Sequence, residues 1–237
     1  MSLISVAEHN GRQTQPVDSA LRSPGSTRFL VVLDVDSTLI ENEVIEMLAE
    51  AAGSHSEVAD ITERAMSGEL DFEQSLRSRV STLRGLSVDG FADIAADIRL
   101  TAGAQHMIDA LHAGDSVVGV VSGGFHELLD GLAESIGLDF WRANRLGVRD
   151  GRLTGEVAGP VIDAEAKAAA LTEWASAYSV PRERTIAVGD GANDLQMMAA
   201  AGLSVAFDAR PVVRSAASLA IDTRDLSQLL PALGLRG

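Results

Sequence analysis

The sequence predicts an α/β fold: a mostly parallel sheet covered by helices on both faces, with a block of helices inserted after the first strand. Three observations carry that expectation. Short apolar runs alternate with helical stretches through most of the 237 residues. Between about 41 and 100 the run is interrupted, and only helical spacing is found there. The apolar runs 29–33 and 185–188 each lead to aspartate and then to a turn, where a parallel sheet places its ligands.

The elements follow in order. Residues 1–27 are polar, hold Pro16, Pro24 and Gly25, lack periodicity, and are expected as a flexible tail. A buried strand is expected over 28–35 and a helix over 42–52, with Val44, Ile45, Leu48, Ala51 and Ala52 on one face and Gly53 as its stop. Helices over 56–66 and 71–84, broken by Ser67-Gly68, and a less regular one over 88–98 complete the insertion. The simplest domain division is therefore a helical cap over 41–100 and a core made of 28–40 and 101–237. The α/β pattern resumes with a helix over 103–112, a strand over 115–121 and a helix from about Gly124 to Ile136. Residues 144–149 and 152–157 flank Asp150-Gly151, a hairpin signal. A helix over 163–178, a strand over 184–188, a helix over 192–201, a strand over 203–207 and two short elements near 218–221 and 225–230 close the chain.

Composition narrows the function. A formal net charge of −15 and a pI of about 4.6 argue against nucleic acid and anionic membranes as partners. No run approaches the ~18 apolar residues of a spanning helix, and no signal-peptide pattern opens the chain. The absence of cysteine removes disulfides and thiolate metal sites and fits a reducing cytoplasm. The acidic runs outside the motifs read as solvated faces.

Asp34-Val35-Asp36-Ser37-Thr38 and Gly189-Asp190-Gly191-Ala192-Asn193-Asp194 hold the chemistry. Carboxylates at the end of a buried strand are costly unless a metal or a reaction uses them, although an aspartate there also caps turns. Asp34 is ionised at neutral pH and needs no base to attack phosphorus. Mg²⁺, held by Asp34 and Asp190, would relieve its repulsion from a phosphate. Asp36 is placed to protonate a leaving alkoxide and then to deprotonate water, and a neighbouring carboxylate would raise its pKa. Ser122-Gly123-Gly124, read as a strand end before a helix, offers N–H groups to an anion; a plain N-cap is the alternative for Ser122. Lys167 is the single lysine beside eighteen arginines, which suggests a need for a compact point charge rather than a solvated surface residue. As an isolated ammonium it is expected to contribute little to folding. Arg79 interrupts the apolar face formed by Phe72, Leu76, Val80 and Leu83. It either snorkels to solvent or an internal carboxylate, or forks onto a substrate carboxylate. Glu43 is a favourable charge at a helix start or the partner of a substrate ammonium, and Phe72 is core or pocket lining.

In that order, the D-x-D-S-T strand end, the Ser122-Gly123-Gly124 turn, Lys167 and the G-D-G-x-N-D segment resemble the haloacid dehalogenase (HAD) superfamily of aspartate-nucleophile phosphatases. From Asp34 to the C-terminus the chain is similar to its phosphoserine phosphatase branch. The specific matches are Asn42-Glu43, Ala65-Met66, the stretch from Phe72 to Val80 that includes Arg79, Ala143-Asn144-Arg145-Leu146 and Asp150-Gly151-Arg152-Leu153-Thr154-Gly155. The cap stretch is the most telling, because it belongs to the substrate. The resemblance implies a Rossmann-like three-layer αβα core with a small helical-bundle cap that opens and closes. It implies Mg²⁺ as cofactor and O-phospho-L-serine as the small-molecule substrate, hydrolysed at the last step of L-serine biosynthesis. It makes Asp34 nucleophile and metal ligand, and Asp36 the acid/base and a ligand through its backbone carbonyl. Asp190 becomes the third protein ligand, with Asp194 in support. Ser122, Gly123, Lys167 and Asn193 would hold the phosphate, with Gly124 in support, while Glu43 and Arg79 take the ammonium and carboxylate beside Phe72. Many relatives carry a regulatory domain before the core; fewer than 30 residues precede the first strand here, so no such domain is expected. Two rivals remain: a related phosphatase or phosphotransferase for another small phosphomonoester, and a phospho-accepting receiver module. A receiver module lacks both the cap and the second aspartate of D-x-D.

Overall fold

Leu30-Val31-Val32-Leu33 is apolar on both faces, as a strand covered from both sides must be, and forms β1 (Leu30–Leu33) at the centre of a seven-stranded sheet. The computed structural model describes residues 27–235, so the expected tail lies outside the described residues except for Thr27. With β2 (Val117–Phe125), β3 (Phe140–Arg149), β4 (Arg152–Ala158), β5 (Thr185–Gly189), β6 (Leu203–Phe207) and β7 (Leu219–Ile221), the order is β4-β3-β2-β1-β5-β6-β7. Every neighbouring pair is parallel except the β3–β4 hairpin. β1 lies between β2 and β5, so the chain order reverses there and a crevice opens at the C-terminal ends of these strands.

Between β1 and β2 the chain forms α1 (Val44–Ala52), α2 (His55–Met66), α3 (Phe72–Ser81) and α4 (Phe91–Ala96). Gly53, with φ of 71°, ends α1, and Asp71 with Gln74 closes a capping box at the start of α3. The two ends of this insertion are joined by an antiparallel bridge, Ile40 to Leu100, and by Glu41 N–H donating to Arg99 O at 2.8 Å. A second attachment runs to the hairpin, where Gly85 N–H donates to Leu153 O, Leu153 N–H to Leu86 O and Val88 N–H to Gly151 O, at 2.9, 2.9 and 3.0 Å.

Alternation along β1 divides the core into two layers. Val31 and Leu33 pack with α5 (Ala104–Ala113), α6 (His126–Ser135), α10 (Leu229–Ala232) and the insertion. Leu30 and Val32 pack with α7 (Ala164–Ala177), α8 (Leu195–Ala200) and α9 (Pro211–Ala216). The three-layer αβα arrangement is thus observed. Among the described residues no helix is long and apolar enough to cross a membrane.

Several boundaries differ from expectation. β2 runs on through the glycines to Phe125, which pairs with Asn144, so α6 begins at His126 rather than at Gly124. β3 begins at Phe140 rather than 144, because its first half pairs in parallel with β2 and only its second half belongs to the hairpin. The helix expected over 71–84 stops at Ser81, freeing the chain to turn toward the hairpin. The stretches 88–98 and 192–201 each open with a 3₁₀ turn before a short helix. α9, started by Pro211 at its first turn, was not anticipated from periodicity.

Candidate active site

Asp34 directly follows β1, and its N–H donates to Val188 O at 2.9 Å, fixing it between β1 and β5. Its Oδ1 accepts from Val35 N–H at 2.7 Å and lies 2.7 Å from Lys167 Nζ. The same oxygen thus caps the local turn and pairs with the lysine. The chain next makes a tight turn in which Ser37 takes the left-handed conformation, with φ of 57°. That turn sends the Asp36 carboxylate the other way: it accepts from Val44 N–H at the start of α1, 3.0 Å, and from Ser122 Oγ at 3.4 Å. Burial above all, then the charges of Glu43 and Asp34, push the Asp36 carboxyl up to about 8. That environment favours the protonated form of the carboxyl.

Asp190 and Asp194 come from the end of β5 and the 3₁₀ turn behind it. Thr38 Oγ1 donates to Asp190 Oδ1 at 3.3 Å, and Gly191 N–H donates to Asp194 Oδ2 at 3.2 Å. A Cβ on Gly189 would collide with the Asp194 carboxylate, so only glycine at the end of β5 lets that carboxylate turn back. Lys167, on the first turn of α7, is fully buried and donates to Asp194 Oδ1 at 2.8 Å as well as pairing with Asp34. Burial opposes its charge, but the two carboxylates outweigh it and hold the ammonium well above the ordinary lysine range. This overturns the premise of an isolated ammonium on which a small contribution to folding was expected. Lys167 neither lies in solvent nor stands alone.

One carboxylate oxygen from each of Asp34, Asp190 and Asp194 lies within 4.8 Å of the others. Burial, followed by the charge of Asp34, pushes Asp190 up to about 6 and Asp194 up to about 7. One lysine thus faces an excess of crowded acid, and a hard divalent cation fits that all-oxygen donor set. Asp34 and Asp190 each keep one carboxylate oxygen that could take such a cation, whereas both oxygens of Asp194 are committed, to Lys167 and Gly191. The Asp36 carboxylate is turned away, which leaves only its backbone carbonyl for a metal.

The remaining site residues line the crevice. Ser122 is buried; its Oγ accepts from Gly124 N–H at 2.7 Å, so it closes a local turn and does not cap α6. A Cβ on Gly123 would stand 3.2 Å from Cζ of Phe72, so the ring from α3 lies over the Gly123 backbone. Arg79 is partly buried, and its Nε donates to Ser75 O at 3.4 Å. Burial lowers its pKa, against the opposing charges of Glu43, Asp36 and Glu46. Glu43 Oε1 accepts from Ser37 Oγ at 2.6 Å; burial around its carboxyl raises its pKa. Asn193 is half-buried in the 192–194 turn, beside Gly191. The structure thus brings Glu43, Arg79 and Phe72 from the insertion to the strand ends.

Sequence reasoning missed three contributors. Thr38, fully buried, orients Asp190 as described. Asn144 Nδ2 donates to Gly123 O at 2.9 Å while its Oδ1 accepts from Ile162 N–H at 2.8 Å, holding the glycine turn from behind. Asparagine at the start of an expected strand, where that residue type is depleted, was the available signal. Arg224 Nη2 donates to Ser37 O at 3.4 Å and its Nη1 lies 3.4 Å from Asp208 Oδ2.

A family model described as haloacid dehalogenase-like hydrolase matches residues 31–199. The chain is 52% identical over 222 residues to a phosphoserine phosphatase of Streptomyces coelicolor, covering 92% of this chain and 54% of that protein. It is 48% identical over 204 residues to a phosphoserine phosphatase of Streptococcus thermophilus, covering 86% of this chain and 95% of that one. The chain therefore spans about half the length of the first relative and nearly all of the second. A solved structure of a phospho-aspartyl intermediate analogue of phosphoserine phosphatase superposes with a TM-score of 0.82 at 44% identity, covering 87% of this chain and 99% of that one. A substrate-bound phosphoserine phosphatase complex gives 0.82 at 43% identity, with 87% and 98% covered.

Proposed function

The chain belongs to the haloacid dehalogenase-like hydrolases, and we propose that it is a Mg²⁺-dependent phosphatase that converts O-phospho-L-serine to L-serine and phosphate. An Asp34 oxygen attacks phosphorus while the bond to the serine oxygen breaks. The departing alkoxide takes its proton from the Asp36 carboxyl, and L-serine leaves. The Asp36 carboxylate then takes a proton from water as that water attacks the aspartyl-phosphate, breaking the bond to Asp34 and releasing phosphate. Mg²⁺, held by Asp34, Asp190 and the Asp36 backbone carbonyl, would offset the charge shared by nucleophile and phosphate. Ser122, Gly123, Asn193 and Lys167 hold the phosphate, with Asp194 fixing Lys167. Arg79 takes the substrate carboxylate and Glu43 its ammonium, under the helical insertion as lid. Within this reading the enzyme completes L-serine biosynthesis in the cytoplasm.

The observation that carries the reading is the division of the D-x-D segment by one turn. Asp34 faces a buried lysine, whereas Asp36 faces the insertion with a carboxyl pushed up to about 8. Phosphate release across O-phospho-L-serine, phosphoethanolamine, phosphoglycolate and p-nitrophenyl phosphate, with and without Mg²⁺, tests it. Phosphoserine should be preferred and turnover should require the metal. Equal use of all four esters would remove the substrate assignment.

A further inference from the structure

Ser37 is the one residue of the nucleophile turn in the left-handed region, with φ of 57° and ψ of 0°. Glycine would hold that backbone at lower cost, so what serine adds at this position is its hydroxyl. Each of its polar groups is used. Oγ donates to Glu43 Oε1 at 2.6 Å, N–H donates to Asn42 O at 3.3 Å, and the carbonyl accepts from Arg224 Nη2 at 3.4 Å. The last of these ties the turn to the segment after β7. Glu43 itself sits at the N-cap of α1 without any capping bond of its own side chain, so the serine hydroxyl is the partner that fixes its carboxylate.

We propose that Ser37 is a specificity-positioning residue, which aims the Glu43 carboxylate at the substrate ammonium from a turn anchored by Arg224. The inference rests on the phosphoserine reading above. One Glu43 oxygen accepts from the hydroxyl and the other is left for the ligand. The same turn places Asp36, so recognition of the amino group and placement of the proton donor share one piece of backbone.

The test is a double-mutant cycle with Ser37→Ala, Glu43→Gln and the combined variant, reading kcat and KM for O-phospho-L-serine. Ser37→Ala should raise KM roughly tenfold with a smaller change in kcat, as for loss of one charge-assisted hydrogen bond. In the Glu43→Gln background the same substitution should change KM by less than about twofold. Ser37→Gly accepts the backbone angle and should reproduce the KM effect; it also carries the cycle if Ser37→Ala does not fold. Equal losses in both backgrounds, a fall in kcat with KM intact, or a normal KM in Ser37→Gly would each overturn the proposal. Wild-type protein that ignores O-phospho-L-serine yet cleaves p-nitrophenyl phosphate would overturn the substrate reading and this proposal together. Normal use of phosphoserine without coupling removes the proposal alone.

Discussion

At the C-terminal ends of the central strands Lys167 is buried and bonded to two carboxylates, whereas in the insertion Arg79 is partly exposed and, among the described residues, its side chain reaches only the backbone oxygen of Ser75. The same contrast holds for the acids. Asp34 and Asp194 have their partners in place, while Glu43 has a single hydroxyl and, among the described residues, no ion pair with Arg79. The strand ends are thus organised by partners within the chain itself, as suits groups that stabilise developing charge. The insertion instead presents one acid and one base that a zwitterionic head group would complete, which is how a polar site rejects analogues lacking a group.

Breaking the preorganised half should have the largest effects. Asp34→Asn removes the proposed nucleophile and a metal ligand together, so phosphate release should fall to background while circular dichroism stays native. Lys167→Met leaves Asp34 and Asp194 as buried carboxylates without their cation. It should cost about 3–5 kcal/mol of stability in denaturant unfolding, in addition to turnover. Adding Asp194→Asn should recover part of that stability. A melting curve unchanged by Lys167→Met would return the lysine to a minor role in folding.

The recognition half should break more selectively. Arg79→Ala should reduce kcat/KM for O-phospho-L-serine by about 2–4 kcal/mol, the range for a charge left without its partner. Turnover of p-nitrophenyl phosphate should fall far less. Equal losses on both esters would make Arg79 structural and erase the contrast between the two regions.

How far these regions were legible in the sequence follows the same division. β1 with Asp34 and the Asp150-Gly151 turn were readable because their signals are local: an apolar run ending in acid, and two residues with φ of 51° and 72°. The burial of Lys167 was not. α7 is rich in alanine, which marks no face, and the partners of Lys167 come from β1 and the turn after β5. Asn144 and Thr38 were missed for the same reason, since their bonds cross to Gly123, Ile162 and Asp190. Arg79 was legible as a break in an apolar face, but that it forms no ion pair among the described residues is visible only in three dimensions.

A smaller effect sharpens the metal assignment. Asp36, Asp190 and Asp194 are raised to about 8, 6 and 7, so the folded state holds these protons more tightly than the unfolded chain. Their contribution is present at low pH and lost as pH rises through those values. Protein stripped of divalent cations should therefore melt at progressively lower temperature from about pH 4, where the unfolded carboxyls ionise, to about pH 8, and Mg²⁺ should flatten that slope. A slope indifferent to Mg²⁺ would argue that the acid cluster holds no cation.

The covalent step is the centre of the account, and rapid acid quench with O-phospho-L-serine tests it most directly. Peptide mapping of protein quenched during turnover should find the phosphoryl group on the peptide that carries Asp34, with more of it in Asp36→Asn, where water attack is slowed. Active protein that never carries phosphate on that peptide, or carries it elsewhere, would contradict the mechanism.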